Sequence, residues 1–120
     1  MNTINLMGRL VRDPEIRYTT GKDPMAVAKF TLAVRRNAEQ TDFIDCVAWP
    51  GTAEMVEKYF TKGMMMAVTG SLQIDNWETK EGEKRRSAVV NVRSFYFCES
   101  KKDEDPEPEP DPKQKKYNRR

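Results

Sequence analysis

One helix candidate stands among strand-like runs, and its place in their order constrains the fold more than any other feature. Thr52–Phe60 (TAEMVEKYF) begins with a residue type that caps helices. It carries Glu54 in the first turn, where the helix dipole favours a carboxylate. Ala53, Val56 and Phe60 fall on one face, and Gly63 follows as a terminator. The runs before and after it have the composition of strands. Thr3–Arg12 alternates, with Ile4 and Leu6 inward, then Gly8, which suggests a bulge or a sharp bend, and Leu10, before Asp13-Pro14 ends the run. After a turn around Thr20–Pro24, Ala26–Arg36 sets Phe30, Leu32 and Val34 against Lys29, Thr31, Ala33 and Arg35. Asp42–Trp49 follows a short polar link. Beyond the helix candidate, Met64–Ile74 contains another internal glycine, Gly70. Asn76–Arg86 reads as a polar hairpin turning near Glu81-Gly82, and Ser87–Phe97 closes the series.

The order is therefore three strands, a helix, then two strands. A five-stranded Greek-key barrel of the OB type requires a helix between its third and fourth strands. The expected fold is all-β, such a barrel with one short helix. A β-sandwich fits less well, because it leaves the helix idle. OB barrels present a strand face and the loops joining strands 1–2 and 4–5 to oligonucleotides. Here the 4–5 loop is the charged hairpin that carries Trp77.

Asp42–Trp49 (DFIDCVAW) has an unusual division of faces. Alternation puts Ile44, Cys46 and Ala48 on one side, a ready core face. Phe43, Asp45, Val47 and Trp49 share the other, where two large aromatics flank a charge. Such a face suits stacking of flat rings beside polar groups. Aromatics on strands are more often core or interface residues, taken singly. Trp77, set among Asp75, Asn76, Glu78 and Lys80, has little apolar company and is the strongest exception. A base stacked on an aromatic contributes ~1–3 kcal/mol whatever the base is. The cations placed to follow phosphates are Arg9, Arg35, Arg36, Lys62, Lys80, Lys84, Arg85 and Arg86. Arg35-Arg36 and Lys84–Arg86 flank the strand ends nearest that face.

Composition bounds the rest. The 120 residues make one compact domain, expected over residues 1–100. Residues 103–112 hold six carboxylates among prolines, and residues 113–120 hold five bases. Residues 101–120 are accordingly expected to be a disordered tail, acidic and Pro-rich, then basic. Residues 1–102 keep 16 bases and 13 acids, a net charge of +3, compatible with a polyanion partner. No apolar run is long enough to cross a membrane, and the N-terminus lacks a secretory layout, so a cytoplasmic location is expected. Cys46 and Cys98 form no CxxC pair, and the chain contains no histidine. They read as reduced thiols used as small hydrophobes, with no metal site and no cofactor. The lack of histidine removes the commonest general base and argues against an enzyme. A metal-dependent nuclease using Asp42, Asp45 and Asp75 is disfavoured, because Asp42 and Asp45 differ in strand parity.

The ordered series INLMGRLVRDPEIRY, VAKFTLAVRR, DFIDCVAW, AEMVEKYFTKG and GSLQIDNWETKEGE, with the final strand, resembles the bacterial-type single-stranded DNA-binding proteins over about residues 1–99. The resemblance implies an OB fold, usually a homotetramer, that wraps single-stranded DNA without catalysis in replication, recombination and repair. Its stacking aromatics correspond to Phe43, Trp49 and Trp77, and Lys62 matches a basic position. The sequence departs from the pattern in five places, one of them a strand 2–3 loop shorter than in many relatives. Ala38 stands where a fourth aromatic is common, and Asp45 and Asp75 stand where bases are common. The chain ends KQKKYNRR rather than in the acidic tip with Pro-Phe that recruits replication and repair proteins. The alternative reading is an OB-fold adaptor acting mainly through protein contacts.

Overall fold

The computed structural model describes residues 1–98; the expected tail, residues 101–120, lies outside them. Its elements are β1 (Ile4–Leu10), β2 (Glu15–Tyr18), β3 (Ala26–Arg35), β4 (Thr41–Ala48), α1 (Thr52–Tyr59), β5 (Met65–Glu78) and β6 (Lys84–Phe97). The strands form one sheet in the order β1-β5-β6-β4-β3-β2. Arg9↔Ala33 and Leu10↔Leu32 pair β1 back onto β3 and close five strands into a ring. The β4–β6 pair is parallel and the others are antiparallel, the pairing of the expected OB barrel. β2 is an addition that the sequence reading passed over. It is four residues long and lies outside the ring on β3, Ile16 opposite Ala28.

Alternation decides which side chains fill the barrel. Phe30 and Leu32 of β3, Cys46 and Ala48 of β4, Met66 and Val68 of β5, and Val90 and Val92 of β6 are all buried. Each large one contributes ~1.5–3 kcal/mol by leaving water. α1 adds Ala53 and Val56 to the same core, and Phe60 just past its end joins them. The Phe60 ring stacks on Phe97 with centroids 4.9 Å apart and meets Phe95 edge-on at 5.5 Å.

Several local expectations are corrected. Of the two readings of Gly8, a bulge or a sharp bend, the bulge is absent: pairing with β5 runs unbroken from Ile4↔Gly70 to Arg9↔Met65. A Cβ at Gly8 would lie 2.5 Å from the Ala33 carbonyl oxygen, so glycine is there to let β1 cross close to β3. Gly70 does adjoin a bulge, but the extra residue is on the partner strand. Thr69 pairs with Ser94 and Gly70 with Val92, which leaves Arg93 unpaired. A Cβ at Gly70 would approach the Asn91 carbonyl oxygen to 1.9 Å. The bulge shifts parity along β6, so Val90 and Val92 face the core before it and Phe95 after it.

The helix starts one residue earlier in its capping than expected. Gly51, not Thr52, is the N-cap, at φ 90°, and its N–H donates to Glu54 Oε1 at 2.8 Å. α1 ends at Tyr59, with Phe60 already extended, so Gly63 belongs to the following turn and not to a helix terminus. The predicted hairpin loop is also mostly ladder. β5 and β6 pair as far as Glu78↔Lys84, and the turn is confined to Thr79–Glu83.

The two thiols part company. Cys98 is exposed and is not the small core hydrophobe that composition predicts; Cys46 is buried and fits that reading. Burial first, then the charge of Asp45, pushes the Cys46 thiol up to about 12. The unfolded thiol, near its ordinary value of 9.0, ionises first. Cys46 therefore withdraws stability as pH rises from about 9 toward 12 and has no such effect below that window. A disulfide reagent at pH 8 is expected to modify one thiol per chain in the native protein and both in denaturant. Two fast-reacting thiols in the native state would contradict the packing of Cys46.

Candidate functional site

The outward faces of β3, β4, β6 and β5 form one continuous surface. Register builds it row by row. Thr31 pairs with Asp45, Asp45 with Val89 and Val89 with Gln73. The next row runs from Lys29 through Val47 and Asn91 to Ser71. A groove of about 530 Å³ lies over these rows, lined among others by Arg12, Lys29, Asp45, Trp49, Asp75 and Asn91.

The three aromatics chosen from the sequence all face outward, Phe43 67%, Trp77 51% and Trp49 45% exposed. Trp49 stands at one end of the groove, just past the last residue of β4. Its carbonyl accepts the Ala53 N–H at 2.7 Å, so the turn into α1 fixes its backbone. Its indole Nε1–H donates to Asn91 Oδ1 at 3.2 Å. Asn91 Nδ2 in turn donates to Gln73 Oε1, and Gln73 Nε2 donates to Asp75 Oδ1 at 2.8 Å. A chain of amides thus ties the indole edge to the floor. Phe43 lies six residues back along β4, ~20 Å at the rise of a strand, toward the end where the β5–β6 hairpin projects. Trp77 is on that hairpin opposite Arg85. It belongs to the β5 ladder and not to the turn.

The cations are distributed less neatly. None of the bases singled out from the sequence lines the groove; its two cations are Arg12 and Lys29. Lys29 was legible by parity, as one of the outward residues of its strand. Arg12 gave no comparable signal. Arg35 ends β3 with the same parity as Lys29 and Thr31 and is exposed. Arg36 is exposed and paired: its Nε and Nη2 donate to the two Asp42 oxygens at 3.1 and 2.5 Å. Those hydrogen bonds hold the Asp42 carboxyl below the ordinary carboxylate value. Arg9 Nη1 donates to the Gly63 carbonyl at 2.9 Å, across the turn that follows α1. Lys62 lies in that same turn, its backbone N–H on Asp13 Oδ1 at 2.7 Å. Arg85 pairs with Glu83 at 2.6 Å, both exposed, a surface pair that solvent weakens. Lys80, Lys84 and Arg86 are exposed on the hairpin.

The two unexpected acids are on the groove surface. Asp45 Oδ1 accepts the Thr31 hydroxyl at 2.9 Å. Asp42, paired with Arg36 and of opposite parity, does not join them, and the described residues include no group of acidic or cysteine side chains arranged to hold a metal ion. Asn91, Gln73 and Thr31 also belong to the site and were not singled out from the sequence. Neutral side chains on strands carry no signal until register places them beside an indole or a carboxylate.

Comparison with known proteins bears directly on this surface. Residues 1–98 match the Single-strand binding protein family. The chain is 42% identical over 102 residues to the single-stranded DNA-binding protein of Clostridium perfringens, covering 83% of this chain and 67% of that protein. Single-stranded DNA-binding protein 1 of Streptococcus pyogenes is 37% identical over 107 residues, 84% of this chain and 81% of its own length. Single-stranded DNA-binding protein A of Bacillus subtilis is 40% identical over 107 residues, 84% of this chain and 61% of its own.

Proposed function

The chain belongs to the single-strand binding protein family, and on that premise we propose that it binds single-stranded DNA across the β3–β4–β6–β5 surface, stacking bases on Phe43, Trp49 and Trp77. It acts by binding, without catalysis, and so protects and organises single strands in replication, recombination and repair. The observation that carries the assignment of the surface is the exposure of three large aromatics on one face of a barrel whose interior is already filled. Exposed rings without apolar company gain from a partner that covers them, and every base offers a π-face. Phosphates follow the rim. Lys29 and Arg12 serve the groove, Arg35 and Arg36 the end of β3, Arg9 and Lys62 the turn after α1, and Lys80, Lys84, Arg85 and Arg86 the hairpin. The functional form is a homotetramer, and the location is cytoplasmic, with the nucleoid.

Titration with oligo-dT and with duplex of equal length, followed by tryptophan fluorescence at several salt concentrations, tests this. Strong quenching by oligo-dT alone is expected, because Trp49 and Trp77 would both be stacked. Quenching by neither would favour a protein adaptor, the reading to which the acids on this face otherwise lend weight. Asp45→Arg supplies a second arm. Exchanging a carboxylate for a guanidinium on the groove floor removes a repulsion and offers phosphate a partner there, so it is expected to tighten binding and to steepen the log–log salt dependence by roughly 0.7 for each phosphate gained. An unchanged slope would place the DNA backbone away from β4.

A further inference from the structure

Asp45 and Asp75 are odd residues for a phosphate track, and neither is in an ion pair among the described residues, although Arg12 and Lys29 line the same groove. Among the described residues each takes its side-chain hydrogen bond from a neutral donor, Asp45 from the Thr31 hydroxyl and Asp75 from the Gln73 amide. Both line the groove, with the Trp49 ring at its end. Asp45 and Gln73 flank Val89 in one row, and Asp75 stands two residues further along β5. Sheet spacing puts the two acids on the order of 10 Å apart.

A phosphate laid on this floor meets two like charges. The backbone of a bound strand would therefore be held away from Asp45 and Asp75, toward the cations, with the base edges turned toward the carboxylates. An ionised carboxylate is an acceptor only. It accepts from an exocyclic amine, as Asp and Glu do from cytosine N4, and it repels a carbonyl oxygen in the same place. Stacking on the three rings is indifferent to base identity; a carboxylate at the base edge is not.

We propose that Asp45 and Asp75 make this groove selective for bases carrying an exocyclic amine, so that the protein favours cytosine- and adenine-bearing strands over thymine- and uracil-bearing ones. The inference rests on the single-strand reading above and assigns these two residues a role in specificity. The cleanest probe is oligo-dC against oligo-dU of equal length. They differ at the base by an amine and acceptor nitrogen against a carbonyl and N–H, and neither carries the thymine methyl.

Binding of the full chain is followed by anisotropy of labelled oligonucleotides at fixed salt and neutral pH. We expect oligo-dC to bind about fivefold or more tightly than oligo-dU. The double variant Asp45→Asn, Asp75→Asn keeps shape but lets each side chain donate as well as accept. It is expected to bring the ratio close to one, mainly by strengthening oligo-dU. Asn is nearly isosteric and both sites are exposed, so folding is preserved. Equal binding of both strands by the unaltered protein, or a ratio that survives the double substitution, overturns this inference alone. Absence of binding to either strand overturns the single-strand reading and this inference with it.

Discussion

Replacing Phe43, Trp49 and Trp77 together by alanine is expected to lower affinity for oligo-dT by a hundredfold or more. Each stacked base contributes ~1–3 kcal/mol, and 1.4 kcal/mol is a factor of ten, so even the low end of three platforms gives that loss. All three rings are exposed, so the barrel core is untouched. The salt slope should stay close to that of the unaltered protein, because no cation has been removed. Anisotropy of a labelled oligonucleotide is the appropriate measurement, since the substitutions remove the intrinsic fluorophores. Single substitutions should divide the loss unequally. Trp49 is held at its Nε1 by Asn91, which fixes the ring in place before DNA arrives, whereas Phe43 has no polar anchor. A loss below tenfold for the triple variant, with its melting temperature intact, would mean that the bases do not stack on this face.

The second large effect concerns stability. Phe60→Ala is expected to destabilise the fold by ~3–5 kcal/mol, a large part of the ~5–15 kcal/mol that holds a typical domain together. Phe60 is 1% exposed and is the largest fully buried side chain described. Its ring touches both Phe95 and Phe97, and the position after α1 seals the helix against β6. Met55→Ala on the exposed side of the same helix removes a side chain 43% exposed and should change stability by no more than ~0.5 kcal/mol. Urea unfolding of both variants makes the comparison. Equal losses would mean that α1 does not plug the barrel through the face formed by Ala53, Val56 and Phe60.

The acids on the groove shape how the whole surface works. A face of aromatics and cations would bind single strands strongly and with little choice. On the proposed single-strand face, Asp45 and Asp75 would weaken the electrostatic part and leave stacking to carry more of the affinity. Binding by this chain should therefore depend more on its rings, and less on low salt, than binding by an otherwise similar face with bases at those positions.

The sequence by itself determined whatever depends on local geometry. Side chains alternate along any strand, so the division of Asp42–Trp49 into a core face and an aromatic face was legible residue by residue, and Cys46 and Ala48 are buried where parity puts them. Helical spacing likewise placed Ala53, Val56 and Phe60 inward. Residues distant in sequence acquire a shared role only through register, and tertiary structure alone decided those. Gly8 was legible as a special position but not its reason, because the obstacle is the Ala33 carbonyl on another strand. The bulge lies opposite Gly70, a position that stood out in the sequence, but that its extra residue is Arg93 of β6 was not legible, and it turns Phe95 into the core. The pairing of Arg36 with Asp42 was not legible, because it needed the β3–β4 ladder to set the two side by side. Asn91 stands 42 residues from Trp49 and holds its indole only because β4 and β6 run parallel. Alternation is a property of one chain segment and is present before folding; a groove is a property of four segments and exists only once their hydrogen-bond registers are fixed.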